Sequence, residues 1–255
     1  MSLVDYSVTG AVATITLNRP PVNALNGELI ADIDAAVGQA ADPAIRAVVI
    51  TGNKHFAAGA DITRFVDAFD TDDPEPQASG LGAVIRHLEL LEKPTIAAIP
   101  GYALGGGLEL AMGADFRYMA TDAKVGQPEI LLGIIPGAGG TQRLSRLVGF
   151  QAAKELNFSG RHLSAAEAHD LGLADKVVDP DELVGIAAAD AAKWATGPTR
   201  AYWAAKQAMG DGFGHSLESA LDIERDAFQE VFKTADAETG ILAFVNKEKP
   251  DFTGK

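Results

Sequence analysis

Residues 101–114, GYALGGGLELAMGA, decide the fold, because three consecutive glycines join a short strand-like segment to a helical pattern. The segment just before them, TIAAI (95–99), is short and apolar, which is typical of a strand covered on both faces. Glycines let a second backbone or a ligand approach closely, and the first amides of a helix find no acceptor within it. The stretch therefore predicts a strand, a tight turn and a helix whose N-terminus attracts an anion or a developing oxyanion.

Strands and helices are predicted along the rest of the chain in a similar alternation. Alternating or apolar patterns predict strands at 12–17, 47–51 and 116–120, and helical periodicity predicts helices at 28–40 and 81–92. From residue 183 onward only helical patterns follow, at 183–195, 199–209, 215–231 and 234–245. We therefore expect an α/β core with parallel strand pairing (1–195) and a C-terminal helical region (196–255).

Composition and charge exclude several classes of protein. The 255 residues are 47% hydrophobic and 22% charged, as in an ordinary globular protein. The chain has no cysteine, which rules out disulfides, thiolate metal sites and a cysteine nucleophile. A net charge of -14 disfavours nucleic acid or an anionic membrane as a partner. No secretory signal is visible at the N-terminus and no apolar run reaches about 18 residues, so we expect a cytoplasmic protein.

The glycine turns do not fit the nucleotide-binding motifs. A P-loop requires a lysine after its last glycine, and none follows Gly107. A dinucleotide fingerprint fails at the same turn, because Leu110 stands where the third glycine belongs, and the later turn GAGGT (137–141) fails in the same way. A further turn, FAAGAD (56–61), follows the strand predicted at 47–51. Two neighbouring strands of one sheet would then aim two backbone amides at one point.

Two carboxylates stand beside these turns in apolar surroundings. Glu109 lies in the first turn of the helix after the glycines, and Glu129 follows Pro128 at the start of another helical segment. Each has a structural interpretation, as a carboxylate that caps its own helix. Together they also suit an acid/base couple, because burial raises a carboxyl pKa while amides lower it, and neighbouring carboxylates titrate as a pair. Both interpretations stay open at this point.

Five segments resemble the enoyl-CoA hydratase/isomerase family, the crotonases. They are ITLNRPPVNAL (15–25), FAAGADI (56–62), KPTIAAIPGYALGGGLELAM (93–112), GQPEILLGIIPGAGGTQRL (126–144) and SGRHLSAAEAHDLGLADKVV (159–178). They follow the order and spacing of the family and span nearly the whole chain. The resemblance implies a crotonase-like spiral of ββα units with a C-terminal helical region, assembled as a homotrimer or as a hexamer of two trimers.

The resemblance also implies roles for individual residues. The backbone amides of Ala60 and Gly106 form an oxyanion hole for a thioester carbonyl. Glu109 is the base for the water that adds to the β-carbon, and Glu129 supplies the α-proton in a syn addition. The amide of Gly137 helps to hold the water. The substrate is then an acyl-CoA thioester, here a 2-trans-enoyl-CoA, and neither a metal nor a redox cofactor is needed.

Contacts with coenzyme A are implied for the backbone of the turn at 57–62, with the candidate residues Ala57, Ala58, Ala60, Asp61 and Ile62. Weaker candidates for contacts with its phosphates or adenine are Lys54, Arg64, Phe244, Lys247 and Lys249, for which a solvated surface position is the favoured interpretation. The five histidines do not have the spacing of metal ligands, and we assign no metal.

Several alternatives remain. An enoyl-CoA isomerase, or another acyl-CoA enzyme of the family, needs only one base, so the presence of both acids favours hydration. A catalytically idle CoA-binding relative is disfavoured by the acid pair, and an RNA-binding relative by the acidic balance of charge. The residues do not indicate the length or branching of the acyl chain.

Other polar residues have structural interpretations. Asp61 is placed to cap a helix that runs towards Ala68, and Ser164 with Glu167 forms a capping-box pattern. Asp115, beside Arg117, is expected to form a structural ion pair. The acidic, proline-interrupted segment DTDDPEPQASG (70–80) predicts a surface insertion.

Overall fold

A computed structural model describes residues 2–62 and 78–255 of the chain. The strands in that part are β1 (Val4–Thr9), β2 (Val12–Leu17), β3 (Ala47–Gly52), β4 (Thr95–Ile99), β5 (Tyr102–Leu104), β6 (Phe116–Ala120), β7 (Lys124–Gly126), β8 (Leu163–Ser164) and β9 (Lys176–Val178). The first sheet has the order β1-β2-β3-β4-β6-β9, and the second has the order β5-β7-β8. Only the β1–β2 and β7–β8 pairs among these are antiparallel.

The helices cover both the core and the C-terminal region. In the described part they are α1 (Gly27–Ala40), α2 (Ala78–Glu89), α3 (Gly106–Met112), α4 (Gly140–Val148), α5 (Phe150–Ser159), α6 (Ala165–Asp170), α7 (Leu183–Ala195), α8 (Thr199–Gly212), α9 (Leu217–Val231) and α10 (Ala235–Asn246). A short 3-10 helix, Pro128–Leu132, lies between β7 and α4.

The core forms where the apolar patterns predicted it. All residues of β3 and β4 are buried, as expected for strands covered on both faces. Helix α1 begins after Asn26, whose side chain accepts a hydrogen bond from the amide of Leu29. The C-terminal end of α1 is closed by the buried Lys93, whose ammonium donates to the carbonyls of Ala40, Asp42 and Ile45.

The main sequence-based predictions of secondary structure are confirmed. The strands predicted at 12–17, 95–99 and 116–120 are present with those bounds, and α2 lies about three residues before its predicted position. Strand β1 and the short strands β5, β7, β8 and β9 were not predicted. The helix predicted from Asp61 towards Ala68, Arg64, and most of the segment 70–80 lie outside the described residues.

Two structural interpretations from the sequence are also tested here. The capping box of Ser164 and Glu167 at the start of α6 is confirmed. Asp115 does form an ion pair, but its partner is Lys206 of α8 (3.0 Å), while Arg117 pairs with Asp175 (3.4 Å). The pair between Asp115 and Lys206 joins the C-terminal helices to the core, which the proximity of Asp115 and Arg117 in the sequence does not reveal.

The turn between β5 and α3 depends on a very close backbone approach. A Cβ on Gly107 would stand 2.0 Å from the carbonyl oxygen of Ala57. That carbonyl also accepts a hydrogen bond from the amide of Leu104, and the amide of Ala57 donates to the carbonyl of Tyr102. Ala57 is thus hydrogen-bonded to both ends of β5. Gly107 therefore lets α3 start directly against the segment that follows β3.

Replacing Gly107 by alanine should lower the free energy of unfolding by about 1–3 kcal/mol, because the added methyl group overlaps the Ala57 carbonyl. Urea denaturation monitored by circular dichroism measures the change. The control is Gly27→Ala at the start of α1, where a Cβ meets no heavy atom within 4 Å and stability should be unchanged or slightly higher. Equal stabilities of the two variants would show that the close approach does not constrain the fold.

Candidate active site

A cavity of about 160 Å³ opens beside the N-terminus of α3. Two carboxylates, Glu109 and Glu129, are the charged side chains among the described residues that line it. Its other walls are backbone from the glycine turns and apolar side chains, which include Leu25, Ile30, Leu81, Leu132 and Ile134. The sequence-predicted residues Ala58, Ala60, Ile62, Gly106 and Gly137 also line this cavity.

Gly105 and Gly106, which precede Gly107 in the triplet, shape the cavity directly. Gly105 has φ 51° and ψ -126°, a backbone conformation that side chains strongly disfavour, and its Cβ would stand 3.0 Å from Oε1 of Glu129. A Cβ on Gly106 would stand 2.9 Å from Cδ2 of Leu81 and 3.9 Å from the amide nitrogen of Ala60. The triplet thus keeps space for a carboxylate and brings the Gly106 and Ala60 segments together.

The amides of Ala60 and Gly106 are available to a ligand. Their neighbours are bonded, since the amide of Asp61 donates to Leu25 and the amide of Gly105 donates to Gly126. Within residues 2–62 and 78–255, no backbone carbonyl accepts from either of the two amides themselves. Gly106 is the first residue of α3, where an amide has no acceptor within the helix. Two donors from separate segments therefore meet at one end of the cavity.

Glu109 is held by the turn that precedes α4. Only 3% of the residue is exposed, and its Oε1 accepts from the amides of Ala138 (2.8 Å) and Gly140 (2.7 Å). It therefore does not cap its own helix, as one interpretation of the sequence held. Burial raises the pKa of Glu109, while these two amides and the charge of Arg143 lower it and so oppose that effect.

Glu129 follows Pro128 in the 3-10 helix, in a different electrostatic setting. Burial raises the pKa of its carboxyl to about 7, a hydrogen bond to its own backbone lowers it, and the charge of Glu109 raises it further. The two glutamates thus differ, because amides and a cation favour the ionised form at Glu109 while a nearby anion disfavours it at Glu129. Of the two carboxyls, that of Glu129 is therefore the more readily protonated near neutral pH.

Three contacts around the carboxylates were not predicted from the sequence. The buried Gln127 lies against Glu129, and with its amide nitrogen facing that residue it donates to Oε1 (2.9 Å) and Oε2 (3.0 Å). Ala138 and Gly140, which hold Glu109, belong to the glycine turn at 137–141 that the sequence did single out. The sequence shows the turn, but the carboxylate that accepts from its amides, Glu109, lies about thirty residues earlier. No local pattern connects the two.

The comparisons with known proteins agree with this geometry. The sequence model that describes the enoyl-CoA hydratase/isomerase family matches residues 7–255. This chain belongs to the enoyl-CoA hydratase/isomerase family. The match covers both the strands that carry the cavity and the C-terminal helices.

Individual members of the family are similar to this chain over almost their full length. The short-chain-enoyl-CoA hydratase of Clostridium acetobutylicum is 43% identical over 244 residues, 94% of this chain and 93% of that protein. The crotonyl-CoA hydratase of Syntrophomonas wolfei is 43% identical over 252 residues, 96% and 95% of the two chains. A crystal structure of enoyl-CoA hydratase from Bacillus anthracis has a TM-score of 0.91 at 37% identity, and covers 99% of this chain and 100% of that one. The predicted crotonase-like fold is thereby confirmed.

The residues that the family resemblance suggested for CoA contacts occupy different environments. Ala58 and Ile62 line the cavity, whereas Ala57 is buried behind it with its amide and carbonyl bonded to β5. Asp61 lies beside the cavity and accepts a hydrogen bond from Arg19 (2.8 Å), which ties the turn at 57–62 to the loop after β2.

Those weaker CoA candidates that the structure describes do not line the cavity. Lys54 is exposed in the turn after β3, and Phe244, Lys247 and Lys249 are exposed at the end of α10 or just after it. Arg64 falls outside the described residues. In the described part of the chain, no group of three or more His, Asp or Glu side chains is arranged to hold a metal ion. No helix in that part is both long enough and apolar enough to cross a membrane.

Replacing Glu109 by glutamine should lower the pKa of Glu129 from about 7, because the negative charge that raises it is removed. Carbon-13 NMR of protein labelled at the glutamate carboxyl carbons measures the titration. The matched control is Glu155→Gln, which removes an exposed carboxylate of α5 that pairs with Arg161 and should leave the Glu129 titration unchanged. If Glu129 titrates identically in Glu109→Gln and in the unchanged protein, the two carboxyls are not electrostatically coupled.

Proposed function

We propose that this protein is an enoyl-CoA hydratase, which adds water to the double bond of a 2-trans-enoyl-CoA and gives a 3-hydroxyacyl-CoA. The observation that carries the proposal is one small cavity that holds two carboxyls of different proton affinity beside two backbone amides that donate to no carbonyl of the described residues. Water adds poorly to a carbon–carbon double bond unless a conjugated carbonyl takes up negative charge. Hydration therefore needs hydrogen-bond donors at the carbonyl oxygen and two groups that transfer protons.

The amides of Ala60 and Gly106 supply the donors. A thioester oxygen placed between them accepts two hydrogen bonds, and these strengthen as the oxygen becomes enolate-like. The apolar walls keep water away from the developing charge, which makes each hydrogen bond stronger than it would be in bulk solvent. Both donors are fixed by the backbone, so little reorganisation is needed when the charge forms.

The two glutamates divide the proton transfers. Glu109, whose ionised form is favoured by the amides of Ala138 and Gly140, takes a proton from water as the water oxygen bonds to the β-carbon. Glu129, whose carboxyl pKa is raised to about 7 by burial and by the charge of Glu109, gives its proton to the α-carbon. The carboxyls exchange charge states during the reaction, and one proton transfer between them or through solvent restores the starting state. Gly137 lines the cavity beside Ala138, and its amide is proposed to help hold the water.

Isomerisation of the double bond is the second candidate, since the family includes both activities by its description. One base that moves a proton between two carbons is sufficient for that reaction. The buried, hydrogen-bonded position of Glu109 favours hydration, because an isomerase has no need of a second carboxylate held in the cavity. The reaction proposed uses no metal or redox cofactor, and coenzyme A enters only as part of the substrate.

A short acyl chain suits the cavity. Its walls close around about 160 Å³ with apolar side chains such as Leu25, Leu81 and Ile134, and they offer no further charged group to a substituted chain among the described residues. The similar proteins from Clostridium acetobutylicum and Syntrophomonas wolfei are named for short-chain enoyl-CoA and crotonyl-CoA. We therefore expect the best substrates to be short 2-enoyl thioesters.

The C-terminal helices support assembly with further copies of the chain. Large apolar side chains are exposed along α8 to α10, among them Phe213, Leu217, Phe228, Phe232 and Phe244. Such a concentration of exposed apolar area is typical of a protein interface. We propose that residues 196–255 form the oligomerisation region of a homotrimer, or of a hexamer of two trimers, and that Phe244 and Lys247 approach coenzyme A only in that assembly.

Glu129→Gln should reduce the rate of hydration by at least about 10²-fold, since an amide cannot donate the α-proton. Loss of the enoyl-CoA absorbance measures the rate, and calorimetry with saturated butanoyl-CoA should show nearly unchanged binding. Glu92→Gln, which removes an exposed carboxylate paired with Arg200, is the matched control and should retain full activity. A Glu129→Gln enzyme with most of its turnover would remove Glu129 from the mechanism, and unchanged protein that acts only on 3-enoyl-CoA would favour the isomerase.

A further inference from the structure

A pair of charged residues lies directly behind the Glu109 site. Arg143, early in α4, donates through Nε to Oε1 of Glu89 (3.2 Å) and through Nη2 to Oε2 (3.0 Å). The side chains are 19% and 32% exposed, so this two-point contact is partly shielded from solvent. Two parallel hydrogen bonds fix the plane of a guanidinium group as well as its position.

The third contact of Arg143 reaches the turn that holds Glu109. Its Nη1 donates to the carbonyl of Ala138 (3.0 Å), and the amide of the same residue donates to Oε1 of Glu109 (2.8 Å). Gly139, with φ 106°, makes room for this arrangement, because a Cβ there would stand 2.1 Å from Nη1 of Arg143. The turn is thus fixed on one side by the guanidinium group and presents its amides to the carboxylate on the other.

Glu89 connects this arrangement to the opposite wall of the cavity. It is the last residue of α2, and the same helix carries Leu81, which lines the cavity and packs beside Gly106. Burial raises the pKa of Glu89, but hydrogen bonds from Arg143 and Arg86 outweigh it, so that its pKa lies below the ordinary value and its charge persists. Helices α2 and α4 are therefore joined by an ion pair just outside the substrate space.

We infer that Arg143 is a positioning residue for hydration, which, held by Glu89, fixes the Ala138–Gly140 turn and keeps Glu109 aimed and ionised as the base. This inference rests on the proposed function. Arg143 does not line the cavity, so it acts on the reaction only through the turn and through its charge. A misplacement of about 1 Å in a catalytic group costs on the order of 10²-fold in rate, so the turn is a sensitive point.

The charge of Arg143 gives the inference a measurable signature. Among the described residues, the groups that face Glu109 are the amides of Ala138 and Gly140, the carboxyl of Glu129 and the guanidinium of Arg143, which is itself faced by Glu89. Loss of the cation removes a favourable interaction with ionised Glu109, so the pKa of Glu109 rises. The base is then protonated at a higher pH, and the acidic limb of the kcat/KM profile moves to higher pH.

Four variants separate charge from geometry. Arg143→Met should lower kcat about 10- to 100-fold with KM within about two-fold, and should move the acidic limb to higher pH. Arg143→Lys keeps the charge but loses the two-point contact, so it should leave the acidic limb near its original position while kcat stays reduced. Glu89→Gln should reduce kcat by loosening Arg143. The double variant Arg143→Met/Glu89→Gln should be no slower than Arg143→Met, because the two residues act as one unit.

Arg146→Met is the matched control, since Arg146 is exposed on the same helix and contacts only Gln142 and the ring of Phe213 among the described residues. Its rate and pH profile should equal those of the unchanged protein. The inference is overturned if Arg143→Met keeps the original acidic limb, or if the effects of Arg143→Met and Glu89→Gln simply add. Carbon-13 NMR of the Glu109 carboxyl measures its pKa without any turnover. A raised pKa in Arg143→Met supports the positioning role even if the unchanged protein hydrates no enoyl-CoA. Absence of hydration by the unchanged protein would contradict only the proposed function.

Discussion

The site depends on the approach of α3 to the segment after β3, where only glycine at position 107 lets the helix start against the Ala57 carbonyl. This contact brings the first amide of α3 beside the amide of Ala60, although the two belong to different turns of the chain. It also directs Glu109, one helical turn later, into the same cavity. The proposed oxyanion donors and the proposed base therefore depend on a single backbone constraint, and the flanking glycines keep the space that a carboxylate and a ligand need.

The surroundings of the two glutamates in this cavity act differently on their pKa values. Burial raises the pKa of both carboxyls, but at Glu109 two short amide hydrogen bonds and a nearby guanidinium group oppose that rise, although its pKa stays above the ordinary value. At Glu129 burial, together with the charge of Glu109, raises the pKa to about 7, even though its own backbone and Gln127 donate hydrogen bonds to its carboxyl. The proposed base and the proposed acid are thus the same residue type, and they differ because of their surroundings, chiefly the turn at 137–140, and not because of the carboxyls themselves. The ion pair of Arg143 and Glu89 lies behind that turn and stabilises it.

Much of this arrangement could be predicted from the sequence, because local patterns encode it. Strand β2 follows from its alternation of apolar and polar residues and β4 from a short apolar run, and the triple glycine followed by Glu109 indicates a helix N-terminus that faces a ligand. The partners of Glu109 could not be predicted in the same way, since Ala138 and Gly140 act through backbone amides that any residue possesses. Long-range ion pairs were equally hidden: Asp115 pairs with Lys206, ninety-one residues away in the sequence, and not with its neighbour Arg117. Strands of two or three residues such as β8 and β9 are too short to show a period.

In the proposed reaction, a thioester carbonyl binds between the two backbone amides while its α- and β-carbons face the two glutamates. A crystal structure of the protein with butanoyl-CoA, which cannot be hydrated, tests this most directly. The thioester oxygen should lie about 2.7–3.1 Å from the amide nitrogens of both Ala60 and Gly106, with the α-carbon nearest Glu129 and the β-carbon between the carboxyls. A thioester oxygen bound elsewhere, or bonded to only one of these amides, would contradict it.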